Sequence, residues 1–324
     1  MTSRRPMSRR GLFKLGAGTS TAVALAIAGR ANTTAAPAGA RFDLTAASTE
    51  LVRQKGLNDK TVLQSFAFDN DNQHIYTVQL KNGSGSGAAG NLCVTKLSPS
   101  GAVLGHMYLM GFGHGVQIGV EPSGSTAHLW TETDAAPSDD NDVTQGTRLA
   151  RFEFADSQTL TTSSSALTKY TLIPGATKTT PAIDPSTNCL TMRYHTAGVF
   201  RYAAFDLTAI RAGRATKLYD VAEPEGLGTF QGHTTYGDYL YMLSGDPYSA
   251  SNPAPGNTHI TCLDLGSGQQ IQHALSQAGQ SLDYREPEGM AIQIAAGAPR
   301  LCFGFASGPA GARVASIYYK TKVI

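Results

Sequence analysis

The sequence predicts an all-β fold, a five-bladed β-propeller with four-stranded antiparallel blades, and three observations predict it. One pattern recurs five times: a strand opens, turns at an Asp- or Gly-rich corner, and returns as an apolar and aromatic run. The recurrences start at residues 64, 116, 181, 230 and 290, spaced by 52, 65, 49 and 60 residues with only strand signals between them. Periods of this size mark repeat arrays, not a doubly wound sheet. Finally, a second strand pair follows each copy, and two hairpins per repeat make one blade.

The inner pairs read Gln64–Asp69 with Ile75–Val78, Val116–Val120 with Leu129–Thr131, Pro181–Asp184 with Cys189–Met192, Phe230-Gln231 with Tyr239–Met242, and Met290–Gln293 with Leu301–Phe303. The outer pairs are Leu92–Leu97 with Met107–Leu109, Leu149–Phe154 with Lys169–Leu172, Tyr202–Leu207 with Lys217–Tyr219, and Ile260–Leu265 with Ile271–His273. Ser98-Pro99-Ser100-Gly101 and Gly266-Ser267-Gly268 read as hairpin turns, because Gly supplies positive φ and Ser or Pro shapes the corner. The fifth repeat has only Val314–Tyr319 outside its inner pair. Its missing outer strand is expected from Arg41-Phe42-Asp43-Leu44 or nearby residues, which closes the ring and removes an exposed edge. Helical periodicity is nearly absent, with a turn or two expected in Ala47–Lys55 and Ile271–Gln280. Asn82–Asn91, Ala135–Gly146 and Pro247–Asn257 read as flexible loops from their composition.

Residues 1–40 stand apart. They hold six Arg or Lys and no acid, then an Ala-rich apolar segment from Leu12 to Ala28 and small residues at Ala36-Pro37-Ala38-Gly39-Ala40. That is the order of an export signal. Ser8-Arg9-Arg10-Gly11-Leu12-Phe13-Lys14 resembles a twin-arginine motif; a general secretory signal with paired arginines is the alternative. The segment is too short and too weakly apolar for a membrane span. Residues 41–324 are then the single propeller domain. Without the leader the formal charge falls from +2 to −4, so the basic balance belongs to the leader and nothing marks nucleic acid as a partner. Cys93, Cys189, Cys262 and Cys302 each lie in apolar strand runs, without metal or redox spacing. Disulfides or buried free thiols both fit them. A monomer without metal or cofactor is the expectation.

In a propeller the inner strands begin near the axis, so the residues that open them converge. Those starts carry Gln64-Ser65, Gly113-His114-Gly115, Lys178-Thr179-Thr180, Gln231-Gly232-His233 and Arg285-Glu286-Pro287-Glu288-Gly289. Polar groups at all five starts fit a wet, concave ligand site, or a water-filled channel. The residues expected to bind ligand are Gln64, His114, Gln231, His233, Arg285, Glu286 and Glu288. His114, His233 and Arg285 are also candidates for catalysis, as base and charge neutraliser. Glu286 and Glu288 share a face, as a glycoside hydrolase pair does, although an Arg285–Glu ion pair is the favoured bland alternative. His195 and Trp130 read as structural. Asp69-Asn70-Asp71-Asn72 and Asp139-Asp140-Asn141-Asp142 look like fragments of calcium loops, but lack the Gly and distant Glu of an EF-hand; an Asx-turn explains the first. No nucleophile elbow, phosphate loop or dinucleotide fingerprint occurs.

Several stretches together carry a resemblance. Gln64-Ser-Phe-Ala-Phe-Asp69, Leu92-Cys-Val-Thr-Lys-Leu97, Gly105-His-Met-Tyr-Leu109, Gly111-Phe-Gly-His-Gly115, Gly146-Thr-Arg-Leu-Ala-Arg-Phe152 and Arg285-Glu-Pro-Glu-Gly-Met290 are similar to exported actinobacterial proteins named teichoic acid biosynthesis protein C. That group resembles a wider propeller family that includes phage receptor-binding proteins and is similar to the bacteriocin helveticin J. The resemblance spans roughly residues 45–320. It implies a five-bladed propeller associated with cell-wall glycopolymers, and it implies no mechanism. The expected function is an exported, wall-associated propeller that binds a teichoic-acid-like polymer or another extracellular glycan on its axial face. A polysaccharide lyase or glycoside hydrolase using the same face is the alternative, and a protein-interaction or toxin-like module the third.

Overall fold

The computed structural model describes residues 39–83, 89–137 and 144–324. Five antiparallel blades follow one another along the chain. Blade I runs Leu63–Asp69, His74–Leu80, Leu92–Leu97 and Val103–Met110 from inside out. Blade II runs Gly119–Ser123, Thr126–Thr133, Arg148–Glu153 and Thr168–Tyr170. Blade III runs Thr177–Asp184, Cys189–Thr196, Val199–Asp206 and Lys217–Ala222. Blade IV runs Phe230–Tyr236, Tyr239–Ser244, His259–Asp264 and Gln270–Leu275. Blade V runs Glu286–Ala295, Ala298–Ser307 and Val314–Lys320, and Thr49–Lys55 completes it. Each inner strand lies against the inner strands of its two neighbours, which closes the ring.

The two middle strands of a blade are buried on both faces, which is why their sequences are near-continuous apolar runs. Phe303 and Phe305 of blade V and Phe66 of blade I are fully buried. Each such side chain contributes ~1.5–3 kcal/mol relative to exposure. Outer strands alternate: Gln270–Leu275 is exposed or half-buried throughout.

The structure corrects four expectations. Thr49–Lys55, inside the segment expected to hold a helical turn, is the closing strand, paired antiparallel with Val314–Lys320. Its β-branched and alternating residues suit an edge better than a helix. Phe42 contributes an isolated bridge to Val323 and packs on Tyr236 and Tyr241, so the predicted closing residues pin the ring without forming its strand. Ile271–Gln280 likewise opens as the outer strand of blade IV. Pro247–Asn257 is an ordered, hydrogen-bonded loop: the Asn252 side-chain amide donates to Asp246 O and Pro247 O, and the Asn257 amide to Asp246. Among the described residues the α-helix is Leu207–Arg211, capped by Asp206, and it had no sequence signal long enough to read. All four cysteines are free. The expected export signal and Asp139-Asp140-Asn141-Asp142 lie outside the described residues, save Gly39 and Ala40, as does most of the Gly-rich loop after Gly83.

Candidate functional site

Four of the five inner strands open with the same irregularity. Gln64 is an extra residue between the pairs Leu63–Gln79 and Ser65–Val78. Gln231 is extra between Phe230–Ser244 and Gly232–Leu243, and Gly289 between Glu288–Gly304 and Met290–Phe303. Blade III carries its shift between Thr177 and Thr180. A bulge leaves one residue unpaired and bends the strand, so it re-aims a side chain out of the sheet. Here the bulges turn the strand starts toward one another around the axis.

They surround a cavity of about 880 Å³. Five of the seven expected site residues line it: Gln64, His114, Gln231, Glu286 and Glu288, joined by Thr180 of blade III. Glu288 is only 3% exposed, yet its Oε2 has no hydrogen-bond partner among the described residues. Thr180 Oγ1 and His114 Nδ1 are equally unpartnered. Burial, with the neighbouring Glu286 charge, holds the Glu288 carboxyl well above the usual range. Burial also lowers the His114 imidazole to about 4. Glu286 is raised by burial too, while the Tyr284 hydroxyl and Arg313 oppose that rise. The floor therefore brings together a carboxyl held toward its protonated form, an imidazole held toward its neutral form and a hydroxyl.

His114 is placed by a residue that sequence reasoning missed. Glu132 is fully buried, and its carboxylate accepts from the His114 and Gly115 amides at 2.9 and 2.6 Å and from the Gly146 amide. Burial pushes this carboxyl up to about 7 against the pull of those three donors. Gly113 must be glycine, since a Cβ would sit 2.3 Å from Glu132 Cδ. Nothing in the Glu132 neighbourhood of the sequence signals this role, because the clamp joins positions 14 to 18 residues away.

The cavity wall holds a second group outside the expected list. Arg193 lies between the Phe200 and Phe230 rings, 3.5 and 3.8 Å from their centroids, and meets Glu223 through two hydrogen bonds of 2.6 and 2.8 Å. The Tyr202 hydroxyl also donates to Glu223. Packing and a bidentate pair fix this guanidinium rigidly. Tyr284, Arg313 and Lys60 complete the lip.

The other two expected residues lie away from the cavity. His233 is fully buried; its Nε2 meets Thr191 O of blade III at 3.2 Å, and burial lowers it to about 3. Its backbone amide donates to Gln117 Oε1, and the Gln117 amide donates to Met290 O at 2.8 Å, which ties blades II, IV and V together. Arg285 is fully buried as well. In place of the ion pair expected with Glu286 or Glu288, it donates to Ala278 O, Pro255 O, Ser276 O and the Thr258 hydroxyl, under the Phe305 ring. Positive φ at Tyr284 and Arg285 swings this side chain outward and lets the two glutamates face the axis. Arg148 is paired with Asp134. Trp130 is fully buried, donating to Glu121, and His195 packs against Phe200 in a tilted pair. Asp69 accepts from the Asn72 backbone amide, three residues on and one further than the expected Asx-turn places its donor.

Comparison with known proteins adds a family. Residues 62–319 match the model of the phage five-bladed β-propeller receptor-binding platform domain. A Bacillus subtilis (strain 168) protein with the provisional name major teichoic acid biosynthesis protein C is 32% identical over 289 residues, covering 86% of this chain and 63% of that protein. The chain thus spans under two thirds of that relative's length. The tail fiber of Staphylococcus aureus phage P68 superposes with a TM-score of 0.71 at 22% identity, over 86% of this chain and 54% of the fiber chain. That likeness is one of fold.

Proposed function

The chain belongs to the phage five-bladed β-propeller receptor-binding platform family, and on that premise we propose that its axial cavity binds a cell-wall glycopolymer of teichoic-acid type, or a related extracellular glycan. The observation that carries this reading is the trio of polar atoms left unpartnered in one cavity: Glu288 Oε2, His114 Nδ1 and Thr180 Oγ1. A buried polar atom without a partner costs ~1–3 kcal/mol, and a hydroxyl-rich ligand supplies what each lacks. Phe200, Phe230 and Tyr284 add apolar wall of the kind sugar rings pack against. The name of the Bacillus relative supports the wall-polymer class. Under this reading the protein is exported through its basic leader and acts at the cell surface as a monomer. Among the described residues no helix is long and apolar enough to cross a membrane.

The test is retention of wall polymers by the purified protein, with soluble products read by mass spectrometry in the same tubes. Retention without new fragments is the expected result, and absence of retention from every wall polymer overturns the reading. One observation favours a second reading, hydrolysis: Glu286 and Glu288, two residues apart on one strand, both line the cavity, and burial raises the more buried well above the usual carboxyl range. An acid beside a second carboxylate is the pair that glycoside cleavage uses. New fragments that vanish in Glu288→Gln would establish it.

A further inference from the structure

We infer that the lip of the cavity where blade V meets blade I is an anion subsite, built from Lys60, Arg313 and the Gly308–Arg313 turn, for the acidic groups of a polyhydroxylated polymer. The inference rests on the reading of the cavity as a glycan site, and it assigns the two halves of such a ligand to two parts of the wall. Hydroxyls go to the polar floor at Glu288 and His114. Phosphodiester or carboxylate groups go to the lip.

The Arg313 amide donates to Lys60 O at 3.2 Å, which fastens the two cationic residues side by side on the lip. Neither side chain has an ion-pair partner among the described residues, whereas the cavity's other arginine, Arg193, is neutralised by Glu223. Arg313 is also held in place, with its guanidinium 3.3 Å over the Tyr284 ring and Nη1 donating to Gly308 O. Ala310 and Gly311 of the same turn line the cavity, and neither amide is spent on a backbone carbonyl among the described residues. A compact turn with free amides beside two cations is the arrangement that cradles oxyanions. The Gly308 amide of the turn is spent on the Asp283 carboxylate at 3.0 Å, and the acid that lines the cavity beside this group is Glu286, whose carboxylate is engaged by the Tyr284 hydroxyl. It sets the inner limit of the subsite, so an anion docks outside it and a hydroxyl inside. A chain that is net negative without its leader needs such a local cluster to hold a polyanion.

The experiment is titration calorimetry of the full chain with three oligomers: a polyol phosphate, a polyuronate, and the polyol glycoside without phosphate. Lys60→Gln with Arg313→Gln should weaken binding of the anionic oligomer about tenfold or more and flatten its salt dependence, while the uncharged glycoside keeps its affinity. Lys60→Gln alone, at an exposed side chain, should give part of the loss with an unchanged melting temperature. Whichever anionic oligomer responds identifies the acidic group. Unchanged anionic binding in the double variant, or equal loss for charged and uncharged oligomers, overturns the subsite and leaves the glycan reading standing. If the unaltered protein binds none of the three, both fall.

Discussion

Two regions lie in succession along the axis, the cavity at the strand starts and the stem a residue or two further in, and similar residues end differently in them. His114 and His233 each follow a glycine at the start of a blade. His114 lines the cavity with an unpartnered Nδ1, while His233 binds a neighbouring blade's carbonyl. Glu288 points into the cavity, and the next residue, Gly289, is packed so tightly that a Cβ would lie 2.7 Å from Ser65 Cα. The comparison teaches that what decides a polar residue's role on this axis is its side of the bulge. Outside the bulge the strands diverge and line a cavity with polar atoms; inside it they converge and hydrogen-bond across blades, as His233 Nε2 does to Thr191 O, with His233 Nδ1 left in the packed stem.

The largest effect should come from the stem. Gly289→Val places a branched side chain against backbone at φ +73°. It should cost about 3 kcal/mol or more, since a left-handed non-glycine residue costs ~1–2 kcal/mol and overpacking ~1–3 kcal/mol. Urea unfolding measures it, and a stable variant would dissolve the distinction between stem and cavity. Next is Glu132→Ala, which orphans three amides. A loss of about 2–3 kcal/mol is expected, with weaker ligand binding because the His114 loop is released. Glu288→Gln, on the cavity side, should change stability by less than about 0.5 kcal/mol at pH 5.

The pH dependence sharpens the same contrast. His114 titrates near 4 when folded against 6.5 when unfolded, so the unfolded chain takes up more protons between those values. Stability therefore falls as pH drops from 6.5 to 4, and His114→Asn should remove part of that fall. Glu132 runs the other way: raised from 4.5 to about 7, it favours the folded state at low pH and loses that contribution as pH rises through 7. Glu132→Gln should remove the loss of stability that this group gives as pH rises from 4.5 to 7. The two windows overlap with opposite sign, so melting temperatures of the two single variants from pH 4 to 8 separate the contributions.

The fold was legible because blade strands are sandwiched, and their apolar runs at ~50-residue spacing survive in the sequence. The candidate site was legible to the extent that inner strands start where polar residues do, which brought Gln64, His114, Gln231, Glu286 and Glu288 to one cavity. His233 and Arg285 stood in the same stretches, but the one-residue bulge at Gln231 turned His233 away, and bulges leave no mark beyond a glycine nearby, while positive φ at Tyr284 and Arg285 turned Arg285 away. Glu132, Arg193 and Arg313 stayed hidden for another reason. Their partners come from other strands and loops, and such pairings exist only once the chain has folded. The Arg285–Glu pair failed on the backbone alone, since two consecutive residues at positive φ are not readable from an ordinary Tyr-Arg sequence.

The central claim is that the cavity, and not the stem, meets the ligand. Its most direct test is calorimetric titration of one wall polymer fragment into the unaltered protein and into the His114→Ala, Glu288→Gln double variant, with melting temperatures alongside. Loss of binding by tenfold or more at an unchanged melting temperature is the predicted result. Undiminished binding by a folded double variant would contradict the account.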